Sequence, residues 1–372
     1  MKIITADGNA SWTRSLLSAL PDGVDCHWLR LRSLGAGRAG LASAALRSLR
    51  APIRVAADRY EHTRVIAGWG RAYRLSSGAV ARWAAKVSSQ PPRRGEVCVV
   101  YTVPQYAGVA ALLRGRPGLR QIYYPYDWYQ GYAWDVAAVE RWEAELVQHC
   151  DQVIAISRRL AADFAAQGAR KVLYLPNAAS DITPGAPEKP HQLERPERGL
   201  LVGCIGQISG SYDWPLIEEV LRLRREDKFV FIGPILEPPG PQRTLIERVL
   251  SVANVCWTGP KPHAELPSYT KAFDVCWNPL AMTPFNDRRS PLRLYDYLAT
   301  NKPVLSTPVS EAFAHLPHLI IAANAAETVS RLKEVAEGVH VVDERTRAEY
   351  ISKNTWRVRA AELVRLLSGA EG

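Results

Sequence analysis

The stretch Ser290-Pro-Leu-Arg-Leu-Tyr-Asp-Tyr-Leu-Ala-Thr-Asn-Lys-Pro-Val-Leu-Ser-Thr-Pro308 decides how this chain is read. Ser290 suits an N-cap, and Pro291 suits the first helical position, where its missing N–H costs nothing and its φ is already helical. Leu292 continues the turn, and Arg293 adds a permanent cation with a fork of donors. The open N–H groups and positive dipole end of such a helix attract phosphate oxygens. Asp296, three residues after Arg293, shares its face and offers a carboxylate to the two hydroxyls of a ribose. Asn301 is second only to glycine as a left-handed helix end, and Lys302-Pro303 leads into the β-type run Val-Leu-Ser-Thr. The stretch reads as an anion-binding helix start that holds a nucleotide diphosphate. Taken alone, it reads equally well as a capped helix of any α/β protein.

The flanking sequence repeats the same alternation. Leu200-Leu-Val-Gly-Cys-Ile-Gly-Gln-Ile-Ser-Gly210 is a strand and a glycine loop, followed by a helix from about Trp214 and the strand Phe229-Val-Phe-Ile-Gly-Pro234. Asn254-Val-Cys-Trp-Thr-Gly-Pro260 and Phe273-Asp-Val-Cys-Trp-Asn-Pro-Leu280 are further strands, with a helix opening at His263 between them. Strand, loop and helix at this spacing predict an α/β fold of βαβ units.

With these motifs in order, the chain resembles the nucleotide-sugar glycosyltransferases of the GT-B architecture, most strongly the bacterial teichuronic acid and xanthan glucuronosyltransferase type. The resemblance covers most of the chain. It rests on Gly203 to Gly206 with Tyr212-Asp-Trp214, on Phe231 to Pro234, on Gly259 to Pro262 and on Ser290 to Ala299. Asp151 to Ser157 and Leu175-Pro-Asn177 add to it, as the strand and loop that close the first domain. The chain departs from the family pattern at Arg293, where Lys is usual, at Asp296, where Glu is usual, and at Asn301, where Gly is common. The resemblance implies two Rossmann-like domains facing across a cleft. It also implies a donor site formed by Gly206, Gln207, Gly233, Pro234, Gly259, Ser290, Pro291, Leu292, Arg293 and Asp296. A UDP-linked sugar is implied ahead of GDP or dTDP, as co-substrate and not as a bound cofactor.

Composition fits that frame. The 372 residues are enough for two cores, and 47% hydrophobic with 23% charged residues is ordinary for a soluble protein. The six cysteines show no metal-type spacing, which points to reduced, buried thiols in a cytoplasmic protein. The N-terminal run reaches Asp7 too early for a signal peptide, and the longest uncharged run, Val97 to Leu113, is too broken to span a bilayer. The expected organisation is an acceptor-binding domain over 1–180, a Pro-rich and charged linker over 181–198, a nucleotide-sugar-binding domain over 199–349, and a segment over 350–372 whose helix, Tyr350 to Leu367, crosses back to the first domain.

Charge is concentrated near the start. Fourteen Lys or Arg residues lie between Arg30 and Arg94 against Asp58 and Glu61, a net of +12 where the whole chain carries +10. A helix wound over Val65 to Val87 sets Val65, Trp69, Tyr73, Val80, Trp83 and Val87 on one side and Arg71, Arg74, Arg82 and Lys86 on the other. One reading is a helix packed on its own domain with a solvated basic face. The other is a surface patch for an anionic membrane, where each basic residue contributes about 1 kcal/mol and a lipid-linked acceptor would dock. Nucleic acid would use the same charge, but no motif for it accompanies the patch.

Inverting glycosyl transfer needs a base for the acceptor hydroxyl and stabilisation of the departing diphosphate. Ile122-Tyr-Tyr-Pro-Tyr-Asp-Trp-Tyr129 reads as a strand that delivers Asp127 to a loop, and strand ends of open α/β sheets face the ligand crevice. Asp127 also resembles the general base of the related enzymes. Its plain structural alternative is a cap on the helix that follows near Asp135. Asp7 is the second candidate and His62 a weaker third. Many retaining relatives carry a second acid eight positions before the ribose carboxylate; Arg288 stands there, which favours inversion. With Arg293 and the helix start to neutralise the leaving group and no Asp-x-Asp, no catalytic metal is expected. Two other classes stay open: a transferase acting on a small secondary metabolite, and a non-catalytic or nucleic-acid-binding protein on the same scaffold.

Overall fold

The computed structural model describes residues 1–7, 11–33, 53–56, 59–66, 71–89, 97–132, 135–180, 193–309, 316 and 318–368. The chain forms two compact units, Met1–Pro176 with Trp356–Gly372, and Asn177–Thr355. The first unit thus ends at 176 instead of 180. The return to it starts at Trp356 instead of 350, because the Ala179 N–H donates to the Asn354 carbonyl (2.7 Å) and Ala179 bridges Thr355. That pairing keeps both crossing segments in the second unit. It also breaks the expected final helix in two, Glu344–Lys353 and Trp356–Leu367.

The first unit carries β1 Lys2–Asp7, β2 Asp25–Ser33, β3 Ile53–Ala56, β4 Arg59–Ile66, β5 Val97–Tyr101, β6 Leu119–Tyr123, β7 Gln152–Ala155 and β8 Val172–Tyr174, in the order β3-β4-β2-β1-β5-β6-β7-β8. Every pairing is parallel except β3 with β4. The second unit carries β9 Leu201–Ile205, β10 Lys228–Ile232, β11 Val255–Trp257, β12 Val275–Asn278, β13 Val304–Ser306 and β14 Leu319–Ile321, all parallel, in the order β11-β10-β9-β12-β13-β14. These are the two Rossmann-like sheets expected from the βαβ spacing. β5, β7, β9 and β12 are buried along their whole length, as strands covered by helices on both faces must be. In β10 the alternation is clear. Phe229 and Phe231 join one core cluster with Val202 and Trp277, while Val230 and Ile232 join the other with Leu201 and Cys276.

Each sheet has one place where the strand order reverses, between β1 and β5 and between β9 and β12, and ligand crevices of open α/β sheets form at the carboxyl ends there. The basic helix also starts later than expected. Val65 belongs to β4, so the basic helix runs Arg71–Ser89; its Val80, Trp83 and Val87 are buried, with Trp83 only 6% exposed, while Arg82 and Lys86 are exposed. Trp83 therefore packs on its own unit and offers no ring to a membrane. Trp69 and the side chains of Arg71 and Arg74 lie outside the described residues. Among the described residues no helix is long and apolar enough to cross a membrane.

Candidate functional site

In the second unit the carboxyl ends of β9, β10 and β11 are tied together by glycine backbones. The Gly206 N–H donates to the Ile232 carbonyl (2.9 Å), the Gly233 N–H to the Gly259 carbonyl (3.0 Å), and the Ile208 N–H to the Pro234 carbonyl (2.9 Å). At Gly233, with φ +147°, a Cβ would stand 1.9 Å from the Gly206 carbonyl oxygen, so no side chain fits between these strand ends. Five expected donor residues, Gly206, Gln207, Gly233, Pro234 and Gly259, thus sit on adjoining loops, with Gln207 exposed.

The decisive stretch differs from expectation at both ends. The helix spans Leu292–Leu298 with Pro291 at its N-cap and no side-chain cap. Ser290 is buried and its Oγ lies 3.0 Å from Tyr295 Oη, while its carbonyl accepts from Asn177 Nδ2 (2.7 Å). Ser290 therefore anchors the chain entering the second unit, and its hydroxyl is engaged there instead of at the helix start. At the other end Asn301 is not left-handed: among the described residues His318 is the one non-glycine with positive φ. Thr300 closes the helix instead, its Oγ1 donating to the Tyr297 carbonyl (2.6 Å) and accepting the Lys302 N–H (3.2 Å).

Arg293 and Asp296 line one cavity of about 100 Å³, together with Ser180, Ile205 and His263. The Arg293 guanidinium lies 4.8 Å from the Tyr212 ring centroid, and its Nη1 donates to Tyr212 Oη and approaches Cys204 Sγ at 3.7 Å. Asp296 Oδ1 accepts the Ser180 N–H (2.8 Å), and burial holds its carboxyl above the usual range although that bond works the other way. Arg288 donates to the Pro284 carbonyl (3.0 Å), and Arg289 sits over the Phe285 ring at 4.7 Å.

In the first unit Asp127 occupies the bend after β6 and is half-buried, its Oδ1 accepting the Trp128 N–H (2.9 Å). Capping of the following helix, Val136–His149, belongs to Asp135, whose Oδ1 accepts the Ala138 N–H (3.0 Å). The cap of that helix is therefore Asp135 and not Asp127. Asp7 ends β1 opposite Arg30, and His62 lies inside β4 opposite Leu29, away from a strand end. Sequence reasoning missed Glu143. This carboxylate is 1% exposed and accepts from Tyr123 Oη (2.8 Å) and Gln130 Nε2 (2.9 Å), which flank Asp127 along the chain. It missed Ser180 as well, which meets the Asp296 carboxylate with both its backbone N–H and its side chain.

Solved structures share this fold. HepE of Anabaena, in complex with UDP and glucose, matches at TM-score 0.69 with 12% identity, covering 99% of each chain. The chain has the GT-B fold. Sucrose-phosphate synthase of Thermosynechococcus elongatus matches at 0.68 with 12% identity, and the lipopolysaccharide outer core galactosyltransferase WaaB at 0.65 with 13%, each covering 100% of both chains. In sequence, a 109-residue segment is 31% identical to TuaH of Bacillus subtilis (strain 168), whose name provisionally assigns it as a glycosyltransferase of teichuronic acid biosynthesis. That segment is 29% of this chain and 27% of TuaH, so the chain spans about a quarter of the curated relative it matches. No protein-family model matches.

Proposed function

We propose that this protein is a glycosyltransferase that moves a sugar from a nucleotide diphosphate, UDP first, to a hydroxyl of a glycan or lipid-linked acceptor with inversion. The observation that carries the reading is the meeting of a permanent cation, Arg293, and a ribose-type carboxylate, Asp296, on one cavity at the carboxyl end of β9. HepE, on the same fold, is in complex with UDP and glucose, which favours UDP here. Asp127 takes the acceptor proton as general base while the acceptor oxygen bonds to the anomeric carbon on the face opposite the diphosphate, and the bond to the diphosphate breaks with its growing charge met by Arg293 and the first N–H groups of the helix Leu292–Leu298. Arg293 supplies that charge without a divalent ion, so transfer persists in EDTA. Because the helix has only seven residues, its dipole is short and the side-chain cation matters more.

The test is calorimetric titration with UDP, GDP and dTDP of the wild type, Arg293→Ala and Asp296→Ala. UDP is expected to bind selectively, and each substitution to weaken it roughly 10- to 100-fold, the scale of hydrogen bonds to charged groups. Binding of no nucleotide would sink the reading and favour a non-catalytic scaffold. Nucleotide binding without turnover of any glycan or lipid-linked acceptor, but with turnover of small phenols or alcohols, would point to a small-metabolite transferase.

A further inference from the structure

Arg293 has five N–H donors, and the two acceptors found for them are both on its Nη1 side. Tyr212 Oη takes one, and Cys204 Sγ lies at 3.7 Å. The Nε–H and the Nη2 donors have no acceptor among the described residues. That edge runs along Gly206, where an added Cβ would stand 2.9 Å from Nη2, 3.0 Å from Cζ and 3.2 Å from Nε. Two parallel N–H groups with matching spacing are the fork by which arginine grips an oxyanion bidentately. Which edge a guanidinium presents is decided by what holds the opposite one. Here that is Tyr212, 2% exposed, its N–H donating to the Ser209 carbonyl (3.3 Å), its ring stacked on Trp214 at 5.6 Å, and its backbone bridged to Leu280.

We propose that Tyr212 is a positioning residue for the donor diphosphate: by engaging Nη1 it turns the Nε/Nη2 fork of Arg293, alongside Gly206, toward the ligand. The inference rests on the proposed nucleotide-sugar reading and adds the residue that sets the geometry of its cation. It separates two contributions to binding. Uridine, which lacks phosphate, does not use the fork, whereas UDP does. An ordinary packing role for Tyr212 would weaken both ligands alike.

The experiment titrates UDP and uridine into the wild type, Tyr212→Phe, Arg293→Ala and the double variant, with a thermal melt of each. Tyr212→Phe keeps the ring under the guanidinium and removes only the hydroxyl, so its melting temperature should stay near that of the wild type. Expected is a loss of about tenfold in UDP affinity, in the range for a bond to a charged group, with uridine changed less than twofold. In the Arg293→Ala background the same substitution should have no further effect on UDP, since the group it positions is gone. Arg293→Lys, a point charge without a fork, should bind UDP no better in the presence of Tyr212 than in its absence. Unchanged UDP affinity in Tyr212→Phe, equal losses for UDP and uridine, or additive losses in the double variant would each overturn the proposal. A wild type that binds neither ligand overturns the underlying reading as well, which distinguishes that failure from the others.

Discussion

The two sheets finish their strands in opposite ways. In the second unit β9, β10 and β11 run into glycine loops joined by main-chain bonds, Gly206 N–H to the Ile232 carbonyl and Gly233 N–H to the Gly259 carbonyl. In the first unit β5 and β6 run into a tyrosine-rich segment fixed by side chains. Tyr129 Oη donates to the Thr102 carbonyl (2.7 Å), Tyr124 Oη to the Leu175 carbonyl (3.3 Å), and Tyr123 and Gln130 converge on Glu143. A main-chain site tolerates many side chains but no bulk at its glycines. A side-chain site can be reshaped by single substitutions. The contrast says which kind of substitution damages each unit.

The largest effect is expected where the first unit would do chemistry. Asp127→Asn keeps the size of the side chain and its bond to the Trp128 N–H while removing the base. Transfer to acceptor should fall about 10²- to 10⁴-fold, the usual contribution of a general base, with UDP affinity unchanged. A rate within threefold of the wild type would return Asp127 to a structural role and leave Asp7, at the end of β1, as the acid to test.

Next in size is the main-chain side of the contrast. Gly233→Ala places a Cβ 1.9 Å from the Gly206 carbonyl oxygen at a φ of +147°, so the strand ends must part. A loss of about 3 kcal/mol is expected from strain and overpacking together, read as a lower urea midpoint. Pro234→Ala, half-buried and next in sequence, should cost less than about 1 kcal/mol. Equal costs for the two would mean that the glycine contact is not what fixes this end of the sheet.

The same contrast explains what the sequence could and could not reveal. Glycine at 206, 233 and 259 and the apolar runs of β9, β10 and β12 are local signals tied to backbone geometry, so both the fold and the placement of these residues were legible. Ser290 was misread because serine before proline is a sound cap by local rules. What claims its hydroxyl and carbonyl is Tyr295 and Asn177, and Asn177 lies 113 positions away. Glu143 was invisible for a similar reason: on a helical pattern a lone Glu reads as solvated, and only its tertiary partners, 13 and 20 residues back, bury it. Trp83 was legible as the apolar side of an amphipathic helix, but the pattern could not tell a protein core from a membrane.

Glu143 gives the smallest and sharpest test. Its carboxyl is pushed above the ordinary 4.5 first by burial, and further by the Glu140 and Asp163 carboxylates, while the bonds from Tyr123 and Gln130 pull it down; burial wins. A carboxyl raised in the folded state binds its proton more tightly there than in the unfolded chain. Its contribution to stability is therefore complete below about 4.5 and is lost as pH rises through the folded value. Glu143→Gln removes the ionisation but keeps an oxygen for Tyr123. Relative to this variant the wild type should lose stability as pH increases from 4.5, by up to about 1.4 kcal/mol for each pH unit crossed. Glu143→Ala instead orphans both donors and should cost about 1–3 kcal/mol at every pH, with faster hydrogen exchange across residues 124–130. Urea unfolding of the three proteins from pH 4 to pH 8 decides the matter. If the wild type gains on Glu143→Gln as pH rises, the two donors outweigh burial and Glu143 works as a favourable buried carboxylate. If it loses, the first unit bears an electrostatic cost to hold the Asp127 loop in place, as burial of Asp296 imposes one in the second.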